Sequence, residues 1–146
     1  MKIYIAGSLF TLAERQFNKE LESTIREMDK DIEIILPQYE TGKMAGAPDF
    51  VEKAFRFCLQ SVNECDVIVS ILDGADADSG TCVELGYAYA REKPIIGIRT
   101  DIRLSEDRGL NLMVANICTR LIVKSSLTTN VNEIALEIVN ILHEVV

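Results

Sequence analysis

The chain has 146 residues, 48% of them hydrophobic, with 15 basic against 23 acidic residues and a net charge of −8. That length and apolar content suit one domain, residues 1–146, with its own core. The acidic balance, without a basic cluster, argues against a nucleic-acid polymer or an anionic membrane surface as partner and leaves a small molecule.

Cys58, Cys65, Cys82 and Cys118 form no CxxC pair, and His143 is the only histidine. This spacing argues against a zinc site, no metal or other cofactor is expected, and the cysteines read as reduced thiols of a cytoplasmic protein. The opening MKIYIAGSLFTLA has the lysine and apolar run of a signal peptide, but Gly7 and Ser8 interrupt it, as befits a first strand and its loop. No apolar run approaches the roughly 20 residues of a membrane span.

In chain order, Lys2–Ala6 reads as a short strand that breaks at Gly7-Ser8. Thr11 and Glu14 form a capping box that opens a helix whose buried stripe would be Phe17, Leu21, Ile25 and Met28. Residues 32–36 are a second strand ended by Pro37, and residues 38–48, with Gly42 and Gly46, are expected to be a loop long enough to bind or cover a ligand. Asp49 and Glu52 repeat the capping pattern ahead of a helix expected to turn Val51, Phe55, Cys58 and Val62 inward. Residues 66–72 form the third strand.

The stretch 73–90, DGADADSGTCVELGYAYA, then carries carboxylates and glycines across a strand-to-helix junction, where open α/β sheets bind ligands. Either Ser79 or Asp78 caps this helix, Gly80 lets a ligand approach the backbone, and Glu84 lies about one turn in, beside an expected apolar face of Val83, Gly86, Tyr87 and Ala90. Residues 94–99 are a fourth strand and 100–108 a polar loop with Asp101 and Arg103. Residues 110–117 are a short helix, 120–124 a fifth strand, and 130–145 a final helix built on Ile134, Ile138, Ile141, Leu142 and Val145.

This alternation predicts a single doubly wound α/β domain of the Rossmann or flavodoxin type, with a five-stranded parallel sheet and helices on both faces. The expected strand order 2-1-3-4-5 sets the loops after strands one and three side by side. Residues 4–10 and 73–84 would then share a pocket, with Gly7, Ser8, Phe10, Asp73 and Gly80 as substrate-binding candidates. Gly7-Ser8 can offer backbone N–H groups to a ligand oxygen, although a turn needs the same residues.

Within that pocket, Asp78 and Glu84 can act together on a glycosidic bond, one carboxylate attacking the anomeric carbon and the other handling the leaving group's proton. Their spacing does not place them on one helix face, so they converge only if Asp78 is still in the loop. The plain alternative is a solvated glutamate and a capping aspartate. Tyr4 can hydrogen-bond the attacking carboxylate, or be an ordinary strand tyrosine. A receiver domain would need an acidic pair where this chain has Ala6-Gly7-Ser8, and neither GxGxxG nor GxxxxGK[ST] is present. A Cys82 nucleophile would lack a nearby histidine.

Several segments together resemble the nucleoside 2-deoxyribosyltransferases: IYIAGSLF at 3–10, the turn Leu72-Asp73-Gly74, DSGTCVELGYA at 78–88, GIRTDIR at 97–103 and NLM at 111–113. The resemblance implies a doubly wound fold and cleavage of the N-glycosidic bond of a 2′-deoxynucleoside through a covalent deoxyribosyl intermediate. It puts Glu84 on the nucleophile, Asp78 on the carboxylate that manages the base's proton, and Tyr4 on the tyrosine that orients the nucleophile. Asn111 falls on an asparagine inserted into a neighbouring subunit's site, which implies a homo-oligomer acting on nucleosides and nucleobases. Where the family commonly carries an Asp on the helix before the third strand, this chain has Cys58, and a thiol substitutes poorly for a carboxylate that accepts hydrogen bonds.

Related enzymes on this scaffold hydrolyse 2′-deoxynucleoside 5′-monophosphates. The loop at residues 7–10 carries no Arg or Lys, which favours an uncharged nucleoside, while Lys43, Arg99 and Arg103 are cations within reach. A third reading is a nucleotide-sensing domain that keeps the pocket without the reaction.

Overall fold

The computed structural model describes residues 1–103 and 109–145. Five strands, β1 (Lys2–Ala6), β2 (Glu33–Ile35), β3 (Val67–Ile71), β4 (Ile95–Arg99) and β5 (Arg120–Val123), form one sheet in the order β2-β1-β3-β4-β5. Every pairing is parallel, with Tyr4 opposite Ile68 and Ala6 opposite Ser70. Both the topology and the order agree with the sequence reading.

Helices α1 (Leu12–Met28) and α6 (Val131–Val145) cover one face of the sheet. There Ile3, Ile5, Val69, Ile96 and Ile98 meet Leu21 and Ile25 of α1 and Ile134, Ile138 and Leu142 of α6. Helices α3 (Phe50–Glu64), α4 (Ser79–Ala90) and α5 (Leu112–Ile117) cover the other, where Tyr4, Ala6, Ile68 and Leu72 meet Val62, Leu85, Ala88 and Val114. Strand alternation thus sends the odd residues of β1 to one core and Tyr4 to the other. The capping box at Thr11 forms as expected, with Glu14 N–H donating to Thr11 Oγ1 at 3.2 Å and Thr11 N–H to Glu14 Oε2 at 2.7 Å.

Several expectations need correction. Residues 37–44 are helical, forming α2 (Pro37–Met44), because a proline that ends a strand is also preorganised for a helix's first turn. Asp49 makes no side-chain cap bond to α3; it pairs with Lys53 at 3.0 Å, as Glu52 does with Arg56 at 2.6 Å. Val51 and Phe55 are exposed, and only Val62 of the expected inner face is fully buried. Met28 is exposed and Phe17 half-buried; the buried row of α1 runs through Asn18, Leu21, Glu22 and Ile25. On α4 the buried row is Thr81, Leu85 and Ala88, while Val83, Gly86 and Ala90 face outward. Helix α5 begins at Leu112 with Asn111 as its cap, and positions 104–108 of the expected polar loop lie outside the described residues.

No described helix is long and apolar enough to cross a membrane.

Candidate active site

Tyr4 is fully buried, and its hydroxyl donates to Glu84 Oε1 at 2.6 Å, the short distance of a charge-assisted bond. The phenol reaches Glu84 because β1 turns it toward α4, where Glu84 flanks the row that packs on the sheet. Burial pushes the Glu84 carboxyl above the 4.5 of an unperturbed glutamate; hydrogen bonds from Tyr4 and Cys58 pull it back, and the charge of Asp78 adds to the rise. Tyr4 is raised far above its ordinary value by burial and then by the Glu84 charge, so it stays a donor.

Cys58, half-buried on α3, joins the pair. Burial raises its thiol, a hydrogen bond with Tyr4 lowers it, and the Glu84 charge raises it further. A neutral thiol therefore stands against a carboxylate that a phenol already holds by one oxygen.

Of the two candidate caps, Asp78 is the N-cap of α4, its Oδ2 accepting from Thr81 N–H at 2.9 Å and Thr81 Oγ1 at 3.1 Å. It precedes the first helical turn, the condition under which it and Glu84 can serve one site. Gly80 is exposed in that turn, and a Cβ there would stand 3.1 Å from Asp78 Oδ2.

The remaining candidates lie elsewhere along the same sheet edge. Ser8 and Asp73 line a cavity of about 410 Å³ on the α1 side, with Asn18, Ile71, Thr100 and Arg103; Tyr4, Asp78 and Glu84 are not among its lining. Gly7 permits close approach to β3, since a Cβ there would be 3.1 Å from Ile71 Cβ. Phe10 is 77% exposed and its N–H donates to Glu14 Oε2 at 3.0 Å. Asp73 is occupied by the fold: its carboxylate accepts from Thr100 N–H and Thr100 Oγ1, each at 2.5 Å, and from Asp101 N–H at 2.9 Å. Asn111 caps α5 through Oδ1, which accepts from Met113 N–H at 2.9 Å, and is exposed.

Asn18 and Gln38 are among the buried polar side chains that escaped the sequence reading. Asn18 donates through Nδ2 to Ser8 O at 3.0 Å and Gln38 Oε1 at 3.2 Å, and Gln38 Nε2 donates to Arg15 O at 3.1 Å. They tie the loop after β1 to α1 and α2. The signal was present in Asn18, a polar residue at helical spacing from Leu21 and Ile25 in a buried stripe.

Comparison with known proteins identifies the family and the fold. The nucleoside 2-deoxyribosyltransferase family model matches residues 3–113. The uncharacterized protein UU063 of Ureaplasma parvum serovar 3 is 33% identical over 129 residues, 75% of this chain and 76% of that protein. A conserved protein of Enterococcus faecalis V583 superposes with a TM-score of 0.73 at 26% identity, covering 96% of this chain and 98% of that one. The 2-deoxyribosyltransferase of Bacillus psychrosaccharolyticus shares the fold with a TM-score of 0.72 at 20% identity, over 92% of this chain and 90% of its own. With most of its sheet, α4 and the start of α5 inside the matched span, the chain belongs to the nucleoside 2-deoxyribosyltransferase family, enzymes of N-glycosidic bonds.

Proposed function

We propose that this protein cleaves the N-glycosidic bond of 2′-deoxynucleosides through a covalent deoxyribosyl–Glu84 ester and transfers the sugar to a second base. The observation that carries the reading is the 2.6 Å bond from buried Tyr4 to Glu84 Oε1, which leaves Oε2 to attack. Glu84 Oε2 bonds to C1′ as the C1′–N bond breaks, and the departing base takes the bond's electron pair together with a proton from Asp78. The incoming base then attacks C1′ from the vacated face, its proton passes to Asp78, and the ester opens to regenerate Glu84. Two displacements at C1′ give net retention.

Asn111 of a neighbouring copy completes the sugar site in this reading, so the working form is a homo-oligomer. An uncharged nucleoside fits better than a 5′-monophosphate. Asp73, Asp76, Asp78, Glu84 and Asp101 gather at this end of the sheet, Arg103 is paired with Asp101, and Arg99 is buried on carbonyl oxygens.

Chromatography of the protein with thymidine or 2′-deoxyinosine, with and without adenine or cytosine, tests the reaction. A new deoxynucleoside that forms only with the acceptor, and disappears in Glu84→Ala, is expected. Release of free base regardless of acceptor would mean hydrolysis. Equal thermal stabilisation of wild type and Glu84→Ala by nucleosides, with no turnover, would leave a binding domain.

A further inference from the structure

Arg99 ends β4 and is 3% exposed. Its Nη1 donates to Leu72 O at 2.7 Å, Nη1 and Nη2 each donate to Gly74 O at 3.3 Å, and Nη2 reaches Arg103 O at 3.4 Å. The connection is returned from the other side, where Asp73 accepts from Thr100 and Asp101, and Asp101 Oδ2 accepts from Gly74 N–H at 3.1 Å. Side chains from each turn thus hold the main chain of the other.

A third segment crosses the same guanidinium. Gly109 has φ +96°, and a Cβ there would lie 2.9 Å from Arg103 O and 3.2 Å from Arg99 Nε, so the chain that leads to Asn111 rests on Arg99. Only a residue without a side chain fits at that crossing.

We propose that Arg99 is a positioning residue for the chemistry at Glu84, its guanidinium joining the turn that leads into α4 to the segment that leads into α5. The turn held at Leu72 and Gly74 runs on to Asp78, the cap of the helix that carries Glu84; the segment resting on Arg99 runs on to Asn111, the cap of α5. One side chain therefore sets the bearing of its own chain's Asp78 and of the Asn111 that, in the proposed assembly, serves a neighbouring site. A guanidinium suits this because its donors form a rigid fork that serves several carbonyls at once, which an ammonium cannot match. A buried cation is costly where an apolar side chain of similar volume would fill the space. What the charge contributes is direction.

The inference rests on the proposed transfer reaction, and its test separates the two. Arg99→Met keeps volume without donors, Arg99→Lys keeps charge without the fork, and Arg99→Ala opens a place for added guanidinium ion below denaturing concentrations. Both Arg99→Met and Arg99→Lys should lower kcat for base exchange by about a hundredfold, the size of effect a small misplacement produces, with KM little changed. Guanidinium should restore part of the kcat of Arg99→Ala. Unchanged kcat in Arg99→Met, or a loss that follows the unfolded fraction and that guanidinium does not restore, would overturn the proposal. If the wild-type protein exchanges no bases, the transfer reading falls and amide hydrogen exchange decides the clamp. Faster exchange in both 73–78 and 109–113 of Arg99→Met supports it; unchanged protection in either segment overturns it.

Discussion

In the proposed reaction Glu84 has to be ionised while held out of water, and its neighbours reconcile these opposed demands. Burial raises its pKa above 4.5 and the Tyr4 and Cys58 hydrogen bonds oppose that rise. Phenylalanine at position 4 removes one donor to the ionised form, so the acid limb of the pH–rate profile should move to higher pH. The lost charge-assisted bond, worth about 1.5–3 kcal/mol, should lower kcat roughly tenfold to a hundredfold. Cys58→Asp should move the limb further, because a second carboxylate would repel the charge on Glu84. An unchanged profile in both variants would remove these residues from the chemistry. The same shift makes stability depend on pH. The folded state holds the Glu84 proton to higher pH than the unfolded chain, so its carboxylate lowers stability as pH rises from 4.5 through the folded value. Thermal denaturation should therefore find Glu84→Gln more stable than wild type at neutral pH, with the gain fading in acid. Spacing could not have predicted the Tyr4–Glu84 contact, since the partners are 80 positions apart. The expected strand order offered the contact by setting the loops after strands one and three side by side, with an ordinary strand tyrosine as the alternative, and the resemblance then favoured it.

Helix α4 puts two uses of Asp78 on one carboxylate: it caps the helix through Thr81 and, in the proposed reaction, carries the base's proton. Asparagine separates the two, because its side-chain oxygen caps nearly as well as a carboxylate's but has no proton to exchange. Asp78→Asn should keep the wild-type melting temperature while transfer falls about a hundredfold to ten-thousandfold, the usual contribution of general acid–base catalysis. Loss of both together would make the residue a cap alone. At this scale the start of α1 was easier to read than the direction in which the helices face. Thr11 and Glu14 marked the start of α1 because a capping box is a local hydrogen-bond pattern. On α4, Thr81 lies inside and Val83 outside, because small and apolar residues surround the helix and hydrophobicity alone does not select a face. Pro37 was legible as the end of β2 but not as the start of α2, since one fixed φ serves both.

Across the whole molecule, strand order was readable because parallel strands joined by helices leave few right-handed arrangements. What one chain's periodicity could not reveal is which apolar stripes belong to its own core. Of the stripes misassigned on α3 and α4, Val51, Phe55 and Val83 are exposed, as are Tyr89 of α4 and Leu112 and Met113 of α5. This is the side of the sheet that carries Tyr4 and Glu84, and Asn111 stands at its margin. If copies of the chain meet here, the outward stripes become interface and Asn111 of one copy reaches the other's Glu84. Phe55→Asp should then reduce the mass measured by light scattering to that of a single chain, leave the far-ultraviolet circular dichroism unchanged, and abolish transfer. A stricter test mixes two inactive variants. In a mixed assembly of Glu84→Ala with Asn111→Ala, one site has both its own Glu84 and its neighbour's Asn111, so mixing should restore activity that neither variant has alone. Recovery would place Asn111 in the neighbouring site. Its absence, with mixed assemblies demonstrably formed, would return Asn111 to the plain role of capping α5 in its own chain.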